Sequence, residues 1–364
     1  MPEERPLIRA HVASMAGYVP VEPPEVWAER LGIGCERLIK LDANENPYGP
    51  SPRARQALAG LTSAHVDPDP AQRALRQALG AHLGLDPERL VVGSGSDELI
   101  DLILRLVLEP GDAVIDCPPT FGMYRFCTAV AGGCVRAVPR RADFSLDLEA
   151  IAAARDPRVK AIFVTSPNNP DGSLTPPEAI RALLALGPLV VVDEAYIEFS
   201  GQQSLMSGGA EAGNLVVLRT FSKWAGLAGL RVGYGLFPPG IVQHLWKIKP
   251  PYNVNVAAAA AALASLEDLA HLQANVARLI AQRERLEREL AHIPFLQPYP
   301  SAANFVLCRV RGRPARGLWE GLRRRGILVR YFDQPGLEDC IRVSSGTPEQ
   351  VDALLRALSE MAEE

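Results

Sequence analysis

Between about residue 88 and residue 237, short β-branched runs alternate with amphipathic stretches, and this rhythm constrains the fold more than any other feature. The strand candidates are Leu90–Gly93, Ala113–Cys117, Cys134–Pro139, Ala161–Thr165, Leu189–Asp193, Val216–Thr220 and Val232–Phe237. Helical patterns at Asp97–Leu108, Phe121–Ala131, Leu146–Arg155 and Pro177–Leu186 lie between them. Parallel neighbours need a crossover, and crossover helices cover both faces of a sheet, so the rhythm predicts an α/β fold on a mostly parallel sheet. Leu189-Val190-Val191-Val192 is apolar throughout, as a central strand covered on both sides should be.

The texture changes after Pro250-Pro251. Val256–Leu266 is Ala-rich and helical, and Glu267 to His292 reads as one long amphipathic helix. Strands at Ala303–Val310, Ile327–Tyr331 and Cys340–Ser344, with helices at Pro314–Arg325 and Pro348–Met361, make a smaller α/β unit. A chain of 364 residues is long for a single core. We expect a large domain over 41–255, a C-terminal small domain over 256–364, and an arm over 1–40 that contributes to the small domain. The first helix after the arm is expected at Ser51–Leu61.

The net charge of −4 leaves no cationic excess for a nucleic-acid backbone. No apolar run reaches the roughly eighteen residues of a membrane span, and Met1-Pro2-Glu3-Glu4-Arg5-Pro6 lacks the pattern of a signal peptide. The expected location is cytoplasmic. Cys35, Cys117, Cys127, Cys134, Cys308 and Cys340 form no Cys-x-x-Cys pair, and most lie in apolar segments, so they read as buried free thiols. The histidines are equally dispersed, and no structural metal is expected.

Chemistry-bearing residues gather where the predicted strands end, which is where ligands bind in open α/β sheets. Lys223 follows Val216–Thr220, and Arg231 comes eight residues later. Asp193 ends the most apolar strand, where a carboxylate must find a partner. Tyr196 follows it by three residues. Gly93-Ser94-Gly95-Ser96-Asp97-Glu98 leads into a helix whose first N–H groups would bind phosphate. Asn169 sits in Ser166–Pro170 after another strand, and Phe121 in Pro118-Pro119-Thr120-Phe121 after a third.

Each has a plainer reading: surface Lys or Arg, helix cap, tight turn, core Phe. Together they match what pyridoxal phosphate needs: a lysine, an acid for its ring nitrogen, a phosphate cup, donors to its phenolic oxygen and a plate over its ring. Ser222 would add a hydroxyl to the phosphate cup. A dinucleotide-binding dehydrogenase is the reading from another class. It would begin at the same glycine loop, which lacks the third glycine of that fingerprint.

The combination of Asn44-Glu45-Asn46-Pro47, Gly95-Ser96-Asp97-Glu98, Pro118-Pro119-Thr120-Phe121, Ser166–Pro170, Asp193-Glu194-Ala195-Tyr196 and Ser222-Lys223 resembles the class-II, fold-type-I pyridoxal-phosphate aminotransferases. Leu41–Gly49 and Pro251-Tyr252-Asn253-Val254-Asn255 narrow the similarity to the histidinol-phosphate branch.

The resemblance implies a homodimer, 2-oxoglutarate as the second substrate, and a role in histidine biosynthesis. It makes Lys223 the lysine that carries the cofactor, Asp193 the partner of the ring nitrogen, and Asn169 and Tyr196 the holders of the phenolic oxygen. Ser96, Asp97, Ser222 and Arg231 take the phosphate positions, and Phe121 the stacking position. Arg342, Arg330, Tyr18 and Asn44 take substrate positions.

One position departs. The family carries Tyr-Pro-Asp-Pro, with the tyrosine reaching the other subunit's cofactor phosphate, where this chain has Asp67-Pro68-Asp69-Pro70. Aromatic amino-acid transamination and threonine-phosphate decarboxylation are the competing activities, since these motifs are shared among subfamilies.

Overall fold

The alternating runs assemble in the computed structural model of the chain, which describes residues 7–18, 20–207 and 212–363. Met1–Pro6, read above for a targeting pattern, lies outside these residues. In chain order the strands are β1 (Ile39–Leu41), β2 (Leu90–Gly93), β3 (Ala113–Asp116), β4 (Cys134–Ala137), β5 (Val159–Thr165) and β6 (Leu189–Asp193). There follow β7 (Leu215–Thr220), β8 (Gly233–Leu236), β9 (Leu296–Pro298), β10 (Phe305–Val310), β11 (Ile327–Tyr331) and β12 (Cys340–Ser344).

A seven-stranded sheet has the order β2-β8-β7-β6-β5-β3-β4. Its neighbours are parallel from β7 across to β4, while β8 runs antiparallel to both β7 and β2. The strand period of two sorts side chains between the faces. Val190 and Val192 join one apolar cluster, and Leu189 and Val191 join the cluster on the opposite face. Such fully buried side chains contribute roughly 1.5–3 kcal/mol each. The helix Ser96–Val107 buries Leu99, Ile100, Ile103 and Leu104, and these anchor it to the face that holds Val191.

Because β5, β6 and β7 are parallel, their last residues Thr165, Asp193 and Thr220 lie along one edge of the sheet. A second sheet, of five strands, has the order β1-β11-β12-β10-β9. Its core joins Val306, Ile341 and Val343 to Leu286 and Leu290 of the long helix Leu269–Leu290. Strand β1 pairs parallel with β11, and the chain leaves it at Leu41 to enter the site as Asp42-Ala43-Asn44.

Several local expectations shift. β1 reads Ile-Lys-Leu and β9 reads Leu-Gln-Pro, too short for a period of two to register, and neither was anticipated. The helices Arg73–Leu83 and Pro239–Ile248 were not anticipated either. The expected long helix from Glu267 starts at Leu269, and the expected Ser51–Leu61 runs from Pro52 to Ala59 with the Ser51 hydroxyl as its cap. All six cysteines are free, but Cys35 and Cys134 are exposed rather than buried. Cys134 opens the edge strand β4, which is covered on one side only. Among the described residues no helix is long and apolar enough to cross a membrane, and no group of three His, Cys, Asp or Glu is placed to hold a metal.

Candidate active site

A cavity of about 310 Å³ opens where β5, β6 and β7 end, and Lys223 reaches into it from three residues beyond β7. Its Nζ donates to the Ala43 carbonyl at 3.0 Å and lies 6.0 Å from the centre of the Tyr196 ring. Burial, then the nearby Arg342 charge, draws the amine down from 10.5 to about 8. A lysine so placed holds a far larger neutral fraction near pH 7 than one in water, as a nucleophile or base requires.

Asp193 closes β6 and is buried at one end of the cavity. Its Oδ2 accepts from the Tyr124 hydroxyl at 2.8 Å and its Oδ1 from the Ala195 N–H at 3.0 Å. Burial pushes the carboxyl up from 3.8 to about 6, against the pull of those two donors. A carboxylate accepts up to about four hydrogen bonds, so capacity remains for a cation in the cavity. Tyr124 stacks on Phe163 at 4.9 Å, which fixes its hydroxyl at that spot.

At the other end lies Arg231, whose backbone sits in the left-handed region at φ 53°. Its Nη2 donates to Asp97 Oδ2 at 2.9 Å and its Nη1 to Ser222 Oγ at 3.3 Å. The helix Ser96–Val107 starts beside it, behind Gly95 at φ 79°, with no side chain capping its first N–H groups. A Cβ on Gly95 would lie 2.5 Å from Arg231 Nη2, and one on Gly233 would lie 2.5 Å from the Ser96 nitrogen. The two glycines therefore let a guanidinium, a strand and a helix start converge on one cup, favourable for an anion through both charge and dipole.

A second cavity, of about 250 Å³, shares Phe121, Asn169, Tyr196 and Lys223 with the first and adds Tyr18, Asn44, Arg330 and Arg342. Every residue singled out from the sequence for cofactor or substrate thus lines one of two adjoining spaces. Arg342 is buried, and it donates to Asn169 Oδ1 and, at 2.8 Å, to the Asp42 carbonyl. Burial, opposed by Tyr196 and reinforced by Arg330, draws its guanidinium down from 12.5 to about 10. Arg330 and Arg342 are register partners on β11 and β12, so two cations stand on the same face.

Asn44 and Asn169 are each tied to another side chain of the site. Asn44, expected at the substrate, donates from Nδ2 to the Tyr196 oxygen at 3.1 Å. Asn169, expected to donate to the phenolic oxygen, accepts from Arg342 through Oδ1, which leaves its Nδ2 as the donor. Sequence reasoning also missed Tyr124, in the first turn of the helix Met123–Ala131, whose ring meets that of Phe121 edge-on at 5.6 Å; the three-residue aromatic spacing was the available signal. It missed Ser344, which bonds Asn44, for want of any motif. Asp67 is exposed in the stretch before Gln72 and lines neither cavity, while Asp69 caps the turn that follows by accepting from the Arg73 N–H at 2.9 Å.

Pyridoxal phosphate fits these residues. An amine, a buried acid and an anion cup line one cavity, Phe121 forms part of its wall, and Gly95 and Gly233 let Arg231 and the helix start close in on the cup.

Comparison with known proteins points the same way. The model of the family described as "Aminotransferase class I and II" matches residues 36–358. Histidinol-phosphate aminotransferase of Roseiflexus castenholzii is 52% identical, with 98% of each chain covered. The chloroplastic histidinol-phosphate aminotransferase of Nicotiana plumbaginifolia is 50% identical over 96% of this chain and 86% of that protein. Among solved structures, histidinol-phosphate aminotransferase from Sinorhizobium meliloti in complex with pyridoxal-5'-phosphate superposes with a TM-score of 0.88, at 30% identity over 99% of both chains.

Proposed function

The chain belongs to the class I and II aminotransferases, a family that works with pyridoxal phosphate, and we propose that it moves the amino group of histidinol phosphate to 2-oxoglutarate in histidine biosynthesis. The observation that carries this reading is the Lys223 amine, held in one cavity with Asp193 and Arg231.

The cofactor, when bound, supplies an electron sink for the substrate carbon attached to nitrogen. Asp193 would keep the ring nitrogen protonated, and its Tyr124 and Ala195 donors favour the ionised carboxylate that this task needs. Arg231, Ser222 and the first N–H groups of Ser96–Val107 would hold the phosphate. Tyr196 and Asn169, which line the same cavity, would hold the phenolic oxygen, and Phe121 would cover the ring.

A free Lys223 Nζ would take the proton from the substrate carbon that bears nitrogen and pass it to the cofactor carbon that takes up the amino group. Its neutral fraction, a product of burial, suits it to that work.

The substrate assignment is favoured by Arg330 and Arg342. Two guanidiniums that repel each other are better satisfied by a phosphate dianion than by a single carboxylate, and a phenyl side chain would leave one of them without an anion. Tyr18 and Asn44 complete the wall of that space. The proposal includes a cytoplasmic homodimer, with a large cofactor-binding domain over 41–255, a small one over 256–364 and an arm over 1–40.

Lys223→Ala tests the assignment. It should abolish both turnover and the visible absorbance of the cofactor-loaded protein; retention of either would refute it.

A further inference from the structure

Strand β12 brings two side chains to the site from one face, Arg342 and, two residues on, Ser344. Ser344 is buried, carries no charge and belongs to no motif. Its Oγ accepts from the Asn44 backbone N–H at 2.9 Å and donates to Asn44 Oδ1 at 2.8 Å. Asn44 is itself buried, held at φ 55° in the left-handed region, and its carbonyl accepts from Asn304 Nδ2 at 3.0 Å. With backbone and amide oxygen both fixed, the Asn44 Nδ2 has one direction left, and it meets the Tyr196 oxygen at 3.1 Å.

An amide presents an acceptor at one end and donors at the other, so fixing one end fixes the polarity of what lies beyond. We propose that Ser344 is a positioning residue: by donating to Asn44 Oδ1 it aims Nδ2 at the Tyr196 oxygen, which leaves the Tyr196 O–H as a donor into the cavity. A reversed amide would accept the Tyr196 proton and take that donor away from the site. Among the described residues Asn44 Oδ1 is the acceptor for the Ser344 hydroxyl, and this sets the direction of the whole relay.

The consequence, which rests on the pyridoxal-phosphate reading above, concerns the phenolic oxygen that Tyr196 faces. A donor there stabilises negative charge on that oxygen and so weakens its hold on the neighbouring proton. The pH at which the visible absorbance of the loaded enzyme changes is then set partly by a serine on the other sheet. Other charges act on Tyr196 too: Lys223 beyond β7, Arg342 on β12, Asp193 on β6 and Asp97 on the helix Ser96–Val107. The variants below leave all four in place.

The experiment is a pH titration of the visible absorbance of substrate-free, cofactor-loaded enzyme. Ser344→Ala should raise the midpoint by about one pH unit, the scale of one hydrogen bond. Ser344→Thr, which restores the hydroxyl, should return it to the wild-type value. Tyr196→Phe should shift it in the same direction, and Ser344→Ala added to Tyr196→Phe should give no further rise. A wild-type midpoint in Ser344→Ala, or a full extra shift in the double variant, would overturn the relay while leaving the cofactor assignment intact. Absence of any pH-dependent visible band in the wild type would overturn the cofactor assignment, and the relay with it.

Discussion

Lys223 is held against its own preference. Burial lowers its affinity for a proton from 10.5 to about 8, so at neutral pH the folded chain confines a charge that water would solvate better. The linkage has a definite sign. A lysine whose folded value is depressed weakens the fold fully below about pH 8, and the deficit shrinks as pH rises from there to 10.5. Lys223→Met should therefore melt higher than wild type, both without cofactor, at pH 7, and the gap should narrow toward pH 10; an equal gap at both pH values would contradict the depressed amine. Tyr124 acts at the opposite end of the cavity. Tyr124→Phe removes a donor from Asp193 and moves the carboxyl further above 6. Pyridoxal phosphate affinity, measured by equilibrium dialysis, should fall about tenfold at pH 6.5 and much less at pH 8.5. A pH-independent loss would mean that Tyr124 serves packing alone.

Strand β8 and the helix Ser96–Val107 meet through backbone, with a Gly233 Cβ position 2.5 Å from the Ser96 nitrogen. Gly233→Ala must push the helix start away from Arg231, so both melting temperature and cofactor affinity should drop; normal affinity in a folded variant would argue against the helix start as the phosphate cup. The elements themselves were largely legible in the sequence. The strands ending at Thr165, Asp193 and Thr220 are long, apolar and punctuated, and hydrophobic pattern records burial directly. β1 and β9 escaped because three residues carry too little pattern and owe their strand form to β11 and β10. The same division holds within the site. Lys223, Asp193 and Arg231 could be read because they sit at strand ends beside the large sheet. Ser344 could not, since its partner Asn44 is 300 residues away and neither residue type advertises the contact.

At the scale of the molecule, the two sheets contribute different chemistry to one space. The seven-stranded sheet brings the amine, the acid and the anion cup, while β11 and β12 bring the paired arginines. Val66 and Tyr252 stand half exposed near the Asp67 stretch and the start of the Ala-rich helix, and a homodimer would cover such groups. Light scattering should give twice the chain mass. Asp67→Tyr should slow pyridoxal phosphate release if that stretch faces a partner's phosphate; identical release from both proteins would remove it from the site. Substrate choice tests the account most directly. Steady-state rates with 2-oxoglutarate should give a kcat/KM for histidinol phosphate at least about a hundredfold above that for phenylalanine, with no carbon dioxide released from threonine phosphate. Equal or better use of phenylalanine, or decarboxylation of threonine phosphate, would contradict it.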